Sequence, residues 1–553
     1  MERPQIHCQT IPLATRGRPR SEPPNERHTH HSRLGKVLLF VFIVTWAIEI
    51  LIVQECTTGA NNTMWAPHVL KYAARRLVLN LAVCTMLACL LNRFWLYTVF
   101  FGQVIFSTLL ITYADYYQRP LSWPIIANQW VEGLQVSGHG MAIISWSAVS
   151  LLVLSLGLKV ILREAMQGCR LPLLELKTLA VGSGTGFVVG AVVLAGFYKP
   201  IGSAHIGSPE YTYGYLVAWA AEGLTFDEEA VLADAVEKAA AKSRVLTDCE
   251  PPLHVGDHMV VIQVESLDFD AVDARFDGRY AMPFLHRLKQ RSMFYMVEPF
   301  HSTGTSDADF SLLASGAPNG VITPFKVRGF PYDDALPWVA RRLGYRTAAM
   351  HGNTGAFFQR RPAYEQMGFA ELYFAKELKA LGVDGRHDHE ILQLSAEQIN
   401  ASDQPVFHFL VTWTSHGPFQ QLPADTERLI PSPRGIQQHY LNNMHYVDRS
   451  LEQYYAQLPV GTTLIIYGDH HSDIGGYVAG RPNANRVPWI ICRKGADLAT
   501  RQTTRHTGLA TSGQLNQLDL VCYVRDSLEA AAASTTRLCS LPADTANQYA
   551  LLP

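Results

Sequence analysis

His258-Met259-Val260-Val261-Ile262-Gln263-Val264 is apolar except at its first and sixth positions, and it ends abruptly in Glu265-Ser266. A continuous apolar run of this length predicts a strand buried on both faces, as in a parallel sheet. Three further runs behave alike: 345–350 leads into His351-Gly352-Asn353, 405–413 into Ser415-His416-Gly417, and 462–467 into Gly468-Asp469-His470-His471. In open α/β sheets the ligand crevice lies beyond the carboxyl ends of the strands, so the four ends can converge on one site. A single such end would be an ordinary turn, because His, Asp and Ser are common turn residues. Four ends bearing metal-competent or anion-binding side chains outweigh that reading. From 255 to 553, β-rich apolar runs alternate with amphipathic helical ones, which predicts an α/β domain.

The first 200 residues read differently. The chain has 553 residues, of which only 17% are charged against about 25% in ordinary soluble proteins. Apolar runs at about 37–53, 77–92, 96–113, 142–162 and 178–197 account for the deficit and predict five transmembrane helices. The first run is not read as a cleaved signal, because four more spans follow. Residues 1–36, with Arg3, Arg16, Arg18, Arg20, Arg27, Arg33 and Lys36, read as a disordered basic cytoplasmic tail. Lys159, Arg163, Arg170 and Lys177 place the loop after the fourth span on the same side, and the aromatic loop 114–141, nearly free of basic residues, on the outer side. Lys71, Arg75 and Arg76 fit this topology poorly. Five crossings deliver residues 201–254, a connector with a helical stretch at 227–242, and the α/β domain to the extracytoplasmic face.

Several features carry little. The net charge of −2 leaves no electrostatic footprint for nucleic acid. Nine cysteines without a C-x-x-C pair exclude a zinc ribbon, though Cys249, Cys492, Cys522 and Cys539 lie on the oxidising side and could pair. Gly182-Ser183-Gly184-Thr185-Gly186 lies inside an apolar run with no following Lys, so it reads as helix packing rather than a phosphate loop. His28, His30 and His31 sit in the polar tail, and Glu49 and Arg93 near span ends, where snorkelling accounts for them.

The chemistry centres on Gly304-Thr305-Ser306-Asp307-Ala308-Asp309-Phe310, a polar turn opening a helix. Its side chains can cap that helix, and a hydroxyl at a helix N-terminus can also handle a phosphate. A threonine hydroxyl is a weak nucleophile at neutral pH and needs a base or metal. Glu265, Asp469 and His470 form an O/N set suited to a divalent ion, with Thr305 as fourth ligand.

Val264-Glu265-Ser266-Leu267, the Thr305 to Phe310 turn, His351-Gly352-Asn353 with Phe357-Phe358-Gln359-Arg360, Ser415-His416 and Tyr467-Gly468-Asp469-His470 occur in that order behind the spans. This set resembles the lipoteichoic acid synthase type of phosphoglycerol transferase, of the sulfatase-like branch of the alkaline phosphatase superfamily. The resemblance implies a sulfatase-like α/β domain with a mostly parallel central sheet, anchored in a bacterial cytoplasmic membrane. It implies Thr305 as nucleophile, Glu265, Thr305, Asp469 and His470 as ligands of Mn²⁺ (Mg²⁺ or Zn²⁺ as alternatives), and His351, Phe358, Arg360 and His416 as substrate contacts. The donor would be phosphatidylglycerol and the acceptor an envelope glycan or glycolipid. Phe358 stands where the family often has tryptophan, Asp309 where it usually has glutamate, and His471 departs from the pattern. Asp519 matches a late aspartate of the superfamily without a role. The alternatives are phosphoethanolamine transfer from phosphatidylethanolamine, phosphodiester hydrolysis, and a non-catalytic membrane scaffold or sensor. A formylglycine sulfatase is disfavoured, because no Cys/Ser-x-Pro-x-Arg motif occurs.

Overall fold

A computed structural model describes residues 26–58, 67–91, 93–117, 120–140, 213–240, 258–472, 485–499 and 515–521, with single positions between and after these stretches. The part from residue 258 onward is built on a seven-stranded sheet. Its strands are β1 (His258–Val264), β2 (Met293–Val297), β3 (Arg346–His351), β4 (Glu371–Tyr373), β5 (Val406–Val411), β6 (Thr463–Gly468) and β7 (Val487–Arg493), in the order β2-β7-β6-β1-β5-β3-β4. β6, β1, β5, β3 and β4 run parallel, and β7 pairs antiparallel with both β6 and β2. The four strands expected from the apolar runs are therefore the four adjacent central ones.

β1 is buried along its whole length, and its pleat sends alternate side chains into two cores. Met259 and Val261 join Phe407, Phe409, Ile465 and Tyr467 on one face. Val260, Ile262 and Val264 join Leu410, Leu464 and Ile466 on the other. The first face is covered by helices that include α7 (Ser306–Leu313) and α8 (Arg360–Gln366), the second by α9 (Asp388–Asn400) and α10 (Ile436–Gln457). Each buried aliphatic side chain contributes about 1.5–3 kcal/mol of transfer free energy.

Register then fixes the site. Val264 lies beside Gly468, Gln263 beside Val411, and Val411 beside His351. Glu265 and Asp469, each one residue further on, emerge side by side, with the Asp469 N–H donating to the Val264 carbonyl at 3.2 Å.

Of the N-terminal region, the first three expected spans fall within α1 (Glu26–Thr58), α2 (Pro67–Leu90) and α3 (Arg93–Tyr117). Among the described residues only Phe94–Ile111 is long and apolar enough to cross a membrane. The runs at 142–162, apart from a few positions, and 178–197 lie outside the described residues, as do Gly182 to Gly186, Cys249, Cys522 and Cys539.

Four expectations are corrected. α1 begins at Glu26, so residues 26–36 of the supposed tail are helical; no proline follows Pro24 to interrupt the backbone ladder. Glu49 does not snorkel at a span end: it lies within α1, ion-paired to buried Lys159 and accepting from Gln103 Nε2 at 2.9 Å, which also removes Lys159 from the proposed loop. Arg76 is buried in an ion pair with Glu55, which explains its poor fit to a charge-based topology. The supposed loop 114–141 contains helix α4 (Trp123–Gly140). The helix at 227–242 appears as α6 (Glu228–Ala240), preceded by α5 (Tyr215–Thr225). Cys492 is a free, buried thiol within β7.

Gly352, just past β3, lies against the backbone of Gly385, and an added Cβ would fall 1.6 Å from the Gly385 carbonyl oxygen. Gly352→Ala should therefore cost roughly 3 kcal/mol or more, seen as a lowered thermal transition. Gly102→Ala, with nothing within 4 Å of the new atom, should leave that transition in place.

Candidate active site

Glu265, Asp469 and His470 are all buried, and one ligand atom from each lies within 4.8 Å of the others. Ser266, held at φ 55°, turns the chain immediately after Glu265. Its N–H donates to Asp469 Oδ1 at 2.9 Å and its hydroxyl to Glu265 Oε1 at 2.9 Å, so one strained residue orients both carboxylates. The His470 N–H also donates to Asp469 Oδ1, at 2.7 Å. Asp469 Oδ2 is buried without a hydrogen-bond partner among the described residues. His470 Nδ1 is 2.9 Å from the His471 carbonyl, which leaves Nε2 to face the carboxylates, 3.2 Å from Glu265 and 3.5 Å from Asp469. The backbone of His471, rather than its ring, therefore aligns the cluster.

Electrostatically the cluster is unbalanced. Burial, and then the charge of Glu265, raise the Asp469 pKa well above the carboxylate range. Burial opposes a charge on His470, but Asp469 and Glu265 outweigh it and raise its pKa. Burial likewise opposes ionised Glu265, yet His470 and His416 hold its pKa below the usual range. Two sealed carboxylates, an imidazole and an orphaned oxygen fit a divalent cation, which would take the place of protons shared among them.

Thr305 stands at the N-terminus of α7 but does not cap it. Its hydroxyl points instead at Glu265 Oε2, 3.4 Å away. Asp307 takes over the turn, accepting from the Ser302 N–H at 2.5 Å and the Thr303 N–H at 2.6 Å. Asp307 thus fastens the loop ahead of the helix, and the Thr305 hydroxyl makes no cap. Gly304, at φ +116°, lets the Phe358 ring close over the turn; a Cβ there would meet the ring at 2.8 Å. Phe358 and Gln359 are both left-handed, at φ 55° and 59°, and deliver Arg360 at the start of α8.

Arg360 is buried and donates from Nε to Asp309 Oδ2 at 2.7 Å. Tyr364 OH donates to the same oxygen at 2.7 Å and Gln263 Nε2 to Asp309 Oδ1 at 2.5 Å. Burial opposes the guanidinium charge, but Asp309 outweighs it and raises the Arg360 pKa. Arg360 Nη2 is buried without a hydrogen-bond partner among the described residues, an anion donor held in reserve. His351 has its pKa lowered to about 3 by burial and then by Arg360, and its Nδ1 lies 3.1 Å from the Val411 carbonyl. It is therefore a neutral imidazole with Nε2 free to accept from a hydroxyl. His416 Nδ1 lies 2.8 Å from the Gly417 carbonyl. Its loop is held by Ser415 Oγ donating to the Glu265 carbonyl at 2.7 Å, and by buried Asp388, which accepts from the Trp413 N–H at 2.7 Å.

Of the eight residues singled out from the sequence, Glu265, Asp469 and His470 cluster, Thr305 points at Glu265, Phe358 lies against Gly304, and His351, Arg360 and His416 are close enough to act electrostatically on the cluster or on one another. Sequence reasoning missed Ser266 as the hinge of the carboxylates, Asp388 beneath the His416 loop, and His301, whose ring stacks on His470 at 4.0 Å. The adjacent Glu265-Ser266 was a signal for the first; the other two are joined only by the fold. Asp519 accepts from the Asn516 N–H at 2.8 Å, remote in sequence from the strand ends.

Residues 257–517 match the protein family described as Sulfatase. That stretch, a little under half of the chain, is similar to sulfatases and is termed the sulfatase-like domain. Lipoteichoic acid synthase 2 of Bacillus subtilis is 25% identical over 284 residues, 47% of this chain and 43% of that protein. The lipoteichoic acid synthase of Staphylococcus saprophyticus is 27% identical over 232 residues, 39% and 36% respectively. The match thus spans less than half of either relative. A crystal structure of the lipoteichoic acid synthase LtaP from Listeria monocytogenes aligns with a TM-score of 0.41 at 21% identity, over 54% of this chain and 81% of that one.

A cation that enters this cluster must displace protons. Affinity for Mn²⁺ or Zn²⁺ should therefore climb as pH rises from about 6 to about 9, because Asp469 and His470 both hold protons more tightly than isolated groups do. Calorimetry in two buffers of different ionisation enthalpy should register release of roughly one proton per ion near neutral pH, and none in Asp469→Ala, which should lose the ion.

Proposed function

We propose that the chain is a metal-dependent phosphoglycerol transferase whose nucleophile is Thr305. The observation that carries this reading is the aim of the Thr305 hydroxyl at Glu265, in a sealed site where Arg360 Nη2 and Asp469 Oδ2 both lack hydrogen-bond partners among the described residues. Similarity to lipoteichoic acid synthases supports phosphoglycerol as the transferred group. Glu265, Asp469 and His470, with the Thr305 hydroxyl, would hold a divalent ion, Mn²⁺ best suiting two carboxylates and an imidazole. Once bound, that ion lowers the hydroxyl pKa and offsets negative charge on the phosphoryl oxygens.

The protein's own part follows from its geometry. Arg360, pinned by Asp309, presents Nη2 to a phosphoryl oxygen of phosphatidylglycerol and strengthens that contact as charge builds in the transition state. Neutral His351 accepts from a glycerol hydroxyl, while the Phe358 ring walls the nucleophile turn. Thr305 Oγ attacks phosphorus; the bond from phosphorus to the diacylglycerol oxygen breaks, and that oxygen leaves with a proton as diacylglycerol. In the second step a hydroxyl of an envelope glycan or glycolipid attacks the phospho-threonine, the Thr305 oxygen takes a proton, and the phosphodiester product departs. His416, at the rim, is positioned to exchange these protons. Ping-pong kinetics follow from the two steps.

The apolar α3 and the basic residues of the first 36 support a membrane anchor with the sulfatase-like domain on the extracytoplasmic face of a bacterial cytoplasmic membrane. Lipid donor and catalytic domain then share one surface.

The reading is tested by the intact mass of the full-length protein after incubation with Mn²⁺ and phosphatidylglycerol. A phosphoglycerol adduct should appear, and Thr305→Ala should abolish it together with turnover. Arg360→Lys, which keeps a charge but loses the planar fork, should lower kcat/KM by about a hundredfold while Mn²⁺ still binds. An adduct from phosphatidylethanolamine alone would replace the head group; no adduct and no release from metal-loaded protein would overturn the reading.

A further inference from the structure

Helix α4 is built inside out. Its polar residues face the sulfatase-like domain: Glu132 is buried and ion-paired to Lys326 Nζ at 2.6 Å, and Lys326 also donates to the Asn128 carbonyl. Gln129 Nε2 donates to the Thr303 carbonyl at 3.2 Å and to the Thr323 hydroxyl. Pro124 and Ile125 are buried, but other large apolar residues of the helix face away: Trp130 is 61% exposed, Val131 44% and Trp123 38%, with Ala127 exposed between them. At 100° per residue Trp123, Ala127 and Trp130 share one stripe, and Glu132 lies on the opposite side. A helix on the surface of a water-soluble domain has the reverse arrangement.

The neighbouring α5 is apolar on both its buried and its exposed sides. It buries Tyr215, Val217, Ala218 and Ala221 and exposes Leu216 (56%), Ala220 and Leu224 (71%), spaced by four residues. The Trp123 N–H donates to Glu222 Oε2 at 2.7 Å and ties the two helices together. Contiguous apolar surface of this kind marks a site of protein or membrane contact.

What covers it follows from its neighbour. α5 packs on the end of α3: Leu110 joins Tyr215 in a common cluster, and the Phe106 and Trp219 rings meet at 5.3 Å. α3 itself exposes Phe101, Ile105 and Leu109. The outward face of α4 and α5 therefore adjoins the surface that would meet hydrocarbon, at the level where tryptophan collects in bilayers.

We propose that this face beds in the outer leaflet of the bilayer at head-group depth, and that α4 carries that position to the nucleophile turn through Gln129 and the Glu132–Lys326 pair. The inference rests on the reading of a lipid donor given above. Gln129 grips Thr303, two residues from Thr305, so about one helix diameter, some 10 Å, separates the nucleophile turn from the lipid-facing stripe. A phosphodiester still anchored by its acyl chains then meets Thr305 without leaving the leaflet. Trp123 and Trp130 are positioning residues for the donor, not catalytic ones.

Two measurements on the full chain in vesicles test this. In phosphatidylcholine brominated on its acyl chains, the emission difference between the protein and Trp130→Phe isolates one fluorophore. Bromines near the head group should quench it at least about twofold more than bromines near the chain ends. An unquenched Trp130 component would mean that water, a second copy or another protein covers the face, and would overturn the proposal. In the second, Trp123→Glu with Trp130→Glu should lower turnover of vesicle phosphatidylglycerol by about tenfold or more, through apparent KM, and leave hydrolysis of a soluble aryl phosphodiester within about twofold. Equal loss on both substrates, or no loss on either, would overturn it. Failure of the unaltered protein to use phosphatidylglycerol would sink the donor assignment alone, since the quenching still decides the face.

Discussion

Everything at the site depends on parallel pairing of β1 with β5 and β6 in one register. Because Val264 is level with Gly468 and Gln263 with Val411, the strands stop together and their next residues enter one space. A slip of one residue would turn Glu265 into a core and pull Asp469 away from it. The apolar pressure of two cores on a strand without an exposed position makes such a slip costly. Hydrophobic burial along β1 thereby sets the position of carboxylates that are themselves expensive to bury.

That expense is handled by two separate networks. Around Glu265, Asp469 and His470, opposing charges shift one another's proton affinities, leaving a site whose natural occupant is a cation. Around Arg360, Asp309 neutralises a buried guanidinium from behind while Tyr364 and Gln263 complete the carboxylate's shell. The positive and negative poles are thus each satisfied on the side away from the substrate. The phosphodiester proposed above as donor would meet both poles at once.

Much of this was legible in the sequence because the chemistry sits at discontinuities: an apolar run that stops at Glu265, another that stops at Asp469-His470. Thr305 was legible as a polar turn, although its freedom from capping was not, and Asp307 two residues later fastens the preceding loop only in three dimensions. His301 left no trace, because a lone histidine in a loop gains meaning only from the ring it stacks upon. The edge strand β2 and its neighbour β7 carry no chemistry and drew no attention. In the N-terminal part, Glu49 and Lys159 were read by their distance from span ends, whereas each is explained by the other. α4 escaped notice because periodicity locates a helix and says nothing of which side meets protein, and here that side is the polar one.

Cys492 lies inside β7, where burial pushes its thiol pKa up to about 12. A thiol so protonated and sealed is neither a nucleophile nor a target for exchange, and it belongs to the sheet's packing in the same sense as a valine. At this position, then, the sheet is indifferent to redox conditions. A chain delivered across a membrane can close β7 onto β6 without waiting on an oxidase there, and the same strand would assemble equally well in a reducing compartment.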